Sequence, residues 1–367
     1  MHSVAIIGAG RIGASIAKLL DDCGSYNILL TDQSEHTLER VNLTGRVEKR
    51  LLKISDPESL RMAIRGCEAA VSACGYDVNS AIAEAAAEAG ISYFDLTEDN
   101  ATTNTIKLIA ERAAPGQVFV PQCGLAPGFI GILGFHMAQQ FDQLDNLKLR
   151  VGALPEFPTN NLMYNLTWST QGLINEYCNP CHAIRAGHYV ELTPLEGLET
   201  FSLDGVSYEA FNTSGGLGTL YETLQGQVSD LTYKTIRYKG HQYLMNFLIN
   251  DLKLGEQRDL LKQLFEKALA VTRQDVVLIM VTATGIIDGK FMQITDSRKV
   301  YHDDVGDEHW GAIQITTASS LCTILDLFFT GKLPHRGYVR QEQIDFDDFI
   351  QNRFASCYRV TGRPRGR

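Results

Sequence analysis

The most restrictive stretch is at the front of the chain. Residues 3–7 (SVAII) form a short apolar run that halts at a glycine, as a strand buried on both faces does. GAGRIG follows at once, and Ile12, Ile16, Leu19 and Leu20 then recur with helical spacing. Strand, glycine turn and helix in this order predict a phosphate-binding βα turn. In it Gly8 makes the tight bend, Gly10 admits a pyrophosphate to the backbone, and Gly13 lets the helix sit close on the strand, with Arg11 and Ile12 between them. The start of the helix would face the phosphates.

Glycine turns alone are common, so the second element decides. Residues 27–31 read as strand two, and Asp32 closes it 24 positions past Gly8, near the spacing of the carboxylate that binds an adenosine ribose. The alternative, a structural turn with a solvent-facing Asp, is disfavoured by the order of the surrounding elements. Asp32 would repel a 2′-phosphate, and Gln33 rather than an Arg follows it, so NAD is expected over NADP.

The alternation then continues. A polar helix starts near Ser34, a strand covers residues 51–54, and a helix opens with Ser55 and Glu58 in capping-box spacing and Pro57 in its first turn. Residues 69–73 are a buried strand. An alanine-rich helix ends at Gly90, residues 92–96 form a strand before another helix, and residues 118–121 are a further strand. This is the pattern of a Rossmann-type, doubly wound parallel sheet, in which ligands bind beyond the carboxyl ends of the strands. Topology therefore places Ile54, Ala73, Cys74, Gly75, Asp95 and Cys123 near the dinucleotide.

With 367 residues the chain has room for about two domains. The βα rhythm breaks at GLAPGFIG, residues 124–131, giving a dinucleotide-binding domain over 1–125. A second, α+β domain over 126–310 carries β-rich runs at 147–151 and 276–282. A long apolar helix over 313–329 must be buried against a domain or another subunit. Charged residues are 21%, apolar ones 44%, and the net charge is −10. These values argue against disorder and against nucleic acid or anionic membrane as partners. The eight scattered cysteines and the absence of a signal-like start fit a reducing, cytoplasmic setting. The last seven residues, TGRPRGR, read as a basic mobile tail.

Five strings carry a resemblance: GLAPGF at 124–129, YNLTWSTQGLINEY at 164–177, TSGGLGTL at 213–220, YKTIRYKGH at 233–241 and RGYVRQEQI at 336–344. Together they resemble the saccharopine dehydrogenase family, nearest its L-lysine 6-dehydrogenase branch. The resemblance implies that residues 126–310 are a substrate-binding and dimerisation domain inserted into the first, with about 311–360 returning to it, and a homodimeric oxidoreductase that oxidises or forms a carbon–nitrogen single bond with a nicotinamide; in the named branch, lysine would become the 6-semialdehyde, which closes to a cyclic imine. Ala126 stands where saccharopine reductases carry an acid, which disfavours saccharopine. Glu98 and Asp99 stand where the lysine enzymes have glycine and histidine, which leaves another amine open. Saccharopine- or carboxynorspermidine-type condensation, and an inactive NAD-binding sensor or scaffold, are the competing readings.

The chemistry asks for a group that holds a carboxylate and a group that takes a proton from an amine of ordinary pKa near 10.4. A guanidinium gives paired, charge-assisted bonds to a carboxylate, and the resemblance singles out Arg237. The amides of Ser214, Gly215 and Gly216 are a second anion holder or merely a chain reversal. Asp95 and Glu98 are the candidate acid–base groups, with Asp99 a base or a helix cap; Tyr238 and His241 are weaker. Asn165 and Trp168 line the cleft or pack. Cys178 and Cys181 (CNPC) lack a partner pair with zinc spacing, so both are expected to be structural and no metal is expected.

Overall fold

The structure is a computed structural model that describes residues 1–360, so the basic tail lies outside the described residues. The chain divides into two compact units. Unit 1 combines Met1–Ile132 with residues 316–360, and unit 2 is Leu133–Ile315.

Unit 1 opens with β1 (His2–Ile7), α1 (Arg11–Asp22), β2 (Tyr26–Asp32), α2 (Glu35–Glu39) and β3 (Val47–Leu51). It continues with α3 (Pro57–Ile64), β4 (Ala69–Ser72), α4 (Tyr76–Ala89), β5 (Ser92–Phe94), α5 (Asn100–Ala110) and β6 (Val118–Val120). Two of these differ from the sequence reading. β3 lies at 47–51, not 51–54, because VEKRL is largely exposed and carries no apolar signal. The cap of α3 is Asp56, whose carboxylate accepts from the amides of Glu58 and Ser59, one place after the expected Ser55. The alanine-rich α4 does end at Gly90, which takes the left-handed φ of 71° that terminates helices.

After α6 (Phe129–Ala138), unit 2 runs through β7 (Gln143–Pro155), α7 (Thr170–Cys178), β8 (Cys181–Arg185), β9 (His188–Leu192), β10 (Glu199–Leu203), β11 (Val206–Asn212) and α8 (Leu220–Leu224). It ends with β12 (Val228–Tyr238), α9 (His241–Asn246), α10 (Arg258–Ala268), β13 (Asp275–Ile287), β14 (Lys290–Tyr301), β15 (Asp303–Val305) and β16 (Glu308–Trp310). Through α11 (Ala312–Phe329) the chain re-enters unit 1, which closes with β17 (Gly337–Tyr338) and α12 (Phe346–Gln351).

The unit 1 sheet is parallel, in the order β17-β6-β5-β4-β1-β2-β3. Strand order reverses between β1 and β4, which makes the crevice above them the expected ligand position. Val4, Ala5, Ile6 and Val71 are wholly buried, as strands covered on both faces require. α11 is long and apolar enough to cross a membrane, but 72% of it is buried within the protein, and buried Thr316, Ser320 and Thr323 interrupt it. Asp326 on this helix accepts from Tyr26 Oη at 2.6 Å, Asn352 Nδ2 at 2.8 Å and Arg353 Nη2 at 2.6 Å. That set ties the returning segment to β2 through charge-assisted bonds.

The unit 2 sheet runs β10-β11-β12-β7-β13-β14, with the β8–β9 hairpin attached to β12. It is antiparallel except where β12 meets β7. Strand alternation sends Arg237 to one face, with the cluster of Tyr164, Tyr177 and Phe211, and Tyr238 to the other, with Leu154, Ile236 and Leu278.

Candidate active site

The glycine turn has the geometry its residues call for. Gly8 has φ 101°, and its amide donates to Thr31 O at 2.9 Å. A Cβ on Gly13 would stand 1.9 Å from the Gly8 carbonyl oxygen, whereas one on Gly10 would meet nothing within 4 Å. The space therefore opens at Gly10, the N-cap of α1, where no side chain caps the helix and no acid occupies the first turn. Arg11 is exposed and Ile12 half-buried beside it. Asp32 sits at the end of β2 with Oδ2 accepting from the Ala9 amide at 2.8 Å and Oδ1 from the Ser34 amide at 2.9 Å. The carboxylate is thereby aimed and fixed beside the glycine turn.

The other predicted cradle residues separate. Ala73 and Cys74 are half-buried and Gly75 is exposed, capping α4. The Cys74 thiol donates to Ile7 O at 3.2 Å, and burial pushes it up to about 12. Ile54 packs against the core cluster of the sheet. Cys123 is a correction: it is wholly buried, with its thiol 3.0 Å from Val120 O, so it backs the strand end and presents no surface to a ligand.

At the carboxyl end of β5 the three acids have three fates. Asp95 is 0% exposed, and its oxygens accept from the Thr97 amide (2.9 Å), the Gln122 amide (2.9 Å) and Tyr93 Oη (2.9 Å). Burial raises it to about 6, and the three donors offset part of that rise. Expected as an acid–base group, it is instead a buried pin joining the ends of β5 and β6, out of reach of a substrate. Asp99 is the N-cap of α5, taking the Thr102 amide at 2.7 Å. Glu98 serves as neither a helix cap nor a pin between strand ends. It is half-buried, and burial, then Asp99 and Asp95, hold it above the ordinary glutamate value.

In unit 2, Arg237 is 2% exposed. Its Nε donates to Tyr177 Oη at 2.8 Å, its Nη1 to Thr235 Oγ1 at 2.8 Å and to Ile236 O at 2.9 Å, and its Nη2 lies 3.6 Å from Glu176 Oε2. The guanidinium also lies 5.1 Å from the Tyr164 ring centroid. His241 Nδ1 is 2.8 Å from Leu162 O; a carbonyl only accepts, so Nδ1 carries the hydrogen and Nε2 accepts from Tyr177 Oη at 3.0 Å. Burial, with Arg237 nearby, lowers His241 to about 3, so the ring is neutral at physiological pH. Arg237, Tyr177 and His241 thus form one directed chain of hydrogen bonds. Expected to hold a ligand carboxylate, Arg237 has its fork turned into the protein.

Other unit 2 expectations need similar correction. The Ser214 amide donates to Glu176 O at 3.0 Å and its hydroxyl to Asn175 O at 2.9 Å, so it is committed to α7. Gly215 has φ 86°, and a Cβ on Gly216 would fall 2.1 Å from Tyr233 Cζ; the turn exists to let a ring pass. Tyr238 Oη donates to Pro155 O at 2.9 Å on the opposite sheet face from Arg237, and burial raises it to about 12, which rules it out as a partner of Arg237. Asn165 brackets Thr159 with Nδ2 3.1 Å from Oγ1, and Trp168 packs on the α7 cluster. Cys178 and Cys181 are free thiols raised by burial, and among the described residues no group of three His, Cys, Asp or Glu side chains comes together as a metal set.

Residues the sequence reading passed over include Tyr177 and Glu176 at the end of α7, Gln122, and Gln341, whose Nε2 donates to Pro121 O at 2.6 Å. The one sequence signal for them was their place inside the strings at 164–177 and 336–344 and next to strand six.

Residues 4–118 match the model of the saccharopine dehydrogenase NADP binding domain, and residues 124–356 match the saccharopine dehydrogenase C-terminal domain. Among solved structures, apo saccharopine dehydrogenase (L-Glu forming) from Saccharomyces cerevisiae superposes with TM-score 0.75 at 13% identity, over 95% of this chain and 96% of that one. The C. glutamicum DAP dehydrogenase in complex with DAP gives 0.51 at 12% identity, over 97% of each chain. A curated relative, myo-inositol dehydrogenase Hyg17 of Streptomyces leeuwenhoekii, is 25% identical over 178 residues, 48% of this chain. That match spans about half of the relative, 53% of its length. With two family domains covering nearly its whole length around a nucleotide-binding βα turn, this chain belongs to the saccharopine dehydrogenase family of nucleotide-dependent oxidoreductases.

Proposed function

We propose that the protein is an NAD-dependent dehydrogenase that oxidises the amine-bearing carbon of an amino acid, with L-lysine, oxidised at its 6-carbon, as the favoured substrate. The observation that carries this reading is Glu98: a half-buried carboxyl, held above its ordinary value, at the carboxyl edge of a parallel sheet where ligands of such sheets bind. Asp32, with both oxygens anchored beside the open Gly10, supports NAD, since its charge would repel a 2′-phosphate.

The residues would divide the work as follows. The turn at Gly8 and Gly10 holds the pyrophosphate at the start of α1, Gly13 keeps that helix close on β1, and Asp32 holds the ribose hydroxyls. A bound nicotinamide supplies the hydride acceptor. Glu98 pairs with the terminal ammonium and takes its proton, and its raised pKa brings it nearer to the amine it must deprotonate. Loss of hydride from the 6-carbon leaves an iminium, which adds water and releases ammonia to give the semialdehyde. The α-amine then condenses with that aldehyde, losing water, to close the cyclic imine. Family membership and the alanine at 126, in place of the acid of saccharopine reductases, support an amine in place of saccharopine itself.

The test is turnover of the full chain with lysine, ornithine or diaminobutyrate under NAD and NADP, followed by aldehyde–amine pairs under NADH. Lysine oxidation with NAD is expected, reduced about 100-fold in Glu98→Gln. Turnover only in the condensing direction would move the protein to the saccharopine or carboxynorspermidine type. Tight NAD binding with no amine-dependent turnover would make it a sensor or scaffold.

A further inference from the structure

The sheet face of unit 2 that points away from Arg237 collects cations. Lys148 and Arg150 alternate along β7, so both leave by this face, and Lys234 on β12 is the direct register partner of Arg150. Arg150 is 7% exposed and Lys234 9%, and like charges directly opposite each other oppose strand pairing. Glu199 of β10 meets Arg150 Nε and lies 3.5 Å from Lys234 Nζ. Lys234 Nζ also donates to Gly197 O at 2.5 Å, and Arg150 Nη1 lies 3.4 Å from Thr282 Oγ1. Further along the face, Asp230 is held by Arg185 at 2.9 Å. At this floor Lys148, Arg150 and Lys234 therefore share one carboxylate, Glu199, while the exposed Arg185 and the half-buried Lys299 are each matched by an aspartate of their own, Asp230 and Asp204. Burying cations in excess of their counter-charges is costly unless something else neutralises them. Burial, with Arg150 and Lys148 close by, holds Lys234 below the ordinary lysine value despite Glu199.

Lys148 and Thr282 are half-buried, and Thr295, exposed, is the register partner of Thr282 with the hydroxyls 3.5 Å apart. We propose that this face binds a small oxyanion, a phosphate or carboxylate group, between Lys148, Arg150 and Lys234, with the Thr282 hydroxyl completing its donors. The proposal is independent of the dehydrogenase reading, since none of these residues belongs to the nucleotide turn or to the Arg237 face.

Thermal unfolding and calorimetry of the full chain, in inorganic phosphate, acetate and chloride at matched ionic strength, test it. Phosphate or acetate at about tenfold its Kd should raise the Tm by roughly 2 °C over chloride. The ordering of the two probes tells phosphate from carboxylate preference. Lys148→Gln, at a half-buried rim position that tolerates change, should lose most of the shift, and Lys234→Met should lose it while gaining stability in chloride. Gly10→Glu, which fills the nucleotide turn with a carboxylate, should keep it. Equal Tm values in all three salts, an undiminished shift in Lys148→Gln, or a shift abolished by Gly10→Glu would each overturn the proposal.

Discussion

The carboxyl edge of the unit 1 sheet and the Arg237 face of the unit 2 sheet both contain residues that the sequence marks as functional, yet they are built in opposite ways. At the first, Gly10 opens onto empty space and the half-buried Glu98 is held above its ordinary value by burial and by Asp99 and Asp95. At the second, Arg237, Tyr177 and His241 spend most of their hydrogen bonds on one another, on the Thr235 hydroxyl and on backbone carbonyls. A ligand-binding group must keep capacity in reserve, whereas a group that organises a core spends most of it. Residue type alone does not tell the two apart; the count of satisfied donors does.

That contrast breaks most easily at Arg237. Replacing it with Ala leaves the Tyr177 oxygen and the Glu176 carboxylate facing a void, so a loss of about 3–5 kcal/mol in denaturant unfolding is expected. Wild-type stability with a raised KM for the amino acid would show that Arg237 is a ligand holder after all. Asp95→Ala should cost roughly 3 kcal/mol, because two buried amides and a phenol lose their acceptor, whereas Asp95→Asn keeps most of the set and should cost under about 1 kcal/mol.

A pH series sharpens the same point. Burial lifts the folded Asp95 carboxyl to about 6, above the ordinary aspartate value. The sign follows from linkage: the stability this group contributes is full below the lower value and is lost as pH rises through the upper one. Asp95→Asn should flatten the unfolding free energy between about pH 4 and pH 6 relative to wild type. At the open edge the signature is kinetic. Asp32→Ala should raise the KM for NAD roughly tenfold or more with little change in saturated kcat, and Gly10→Ala should weaken NAD binding while leaving the unliganded protein as stable as wild type. The smallest effect is expected for Tyr238→Phe, about 1 kcal/mol in stability and none in turnover.

How much of this was legible in the sequence depends on what each signal measures. Hydrophobic runs and glycine spacing report backbone topology, so the parallel sheet, the βα turn and the position of Asp32 were readable. The polar edge strand β3 was not, since an exposed strand has no apolar pattern to detect. Side-chain saturation was not readable either. Nothing in RYKGH says that Arg237 is walled in by Tyr177, which comes 60 positions earlier, or that Asp95 meets the amide of Gln122. Tyr238 shows the limit most simply: neighbours in sequence on a strand point to opposite faces, so a motif that names both cannot put both in one site.

The strand β17 carries a consequence for how the protein is made. It pairs with β6, yet residues 121–336 must leave the ribosome between the two. A nascent chain can complete the whole of unit 2 while β6 still offers a bare hydrogen-bonding edge to any other strand in reach. A chain stalled or clipped just before residue 337 would keep an intact inserted domain on an unfinished host, and such fragments are the ones a chaperone should be found holding.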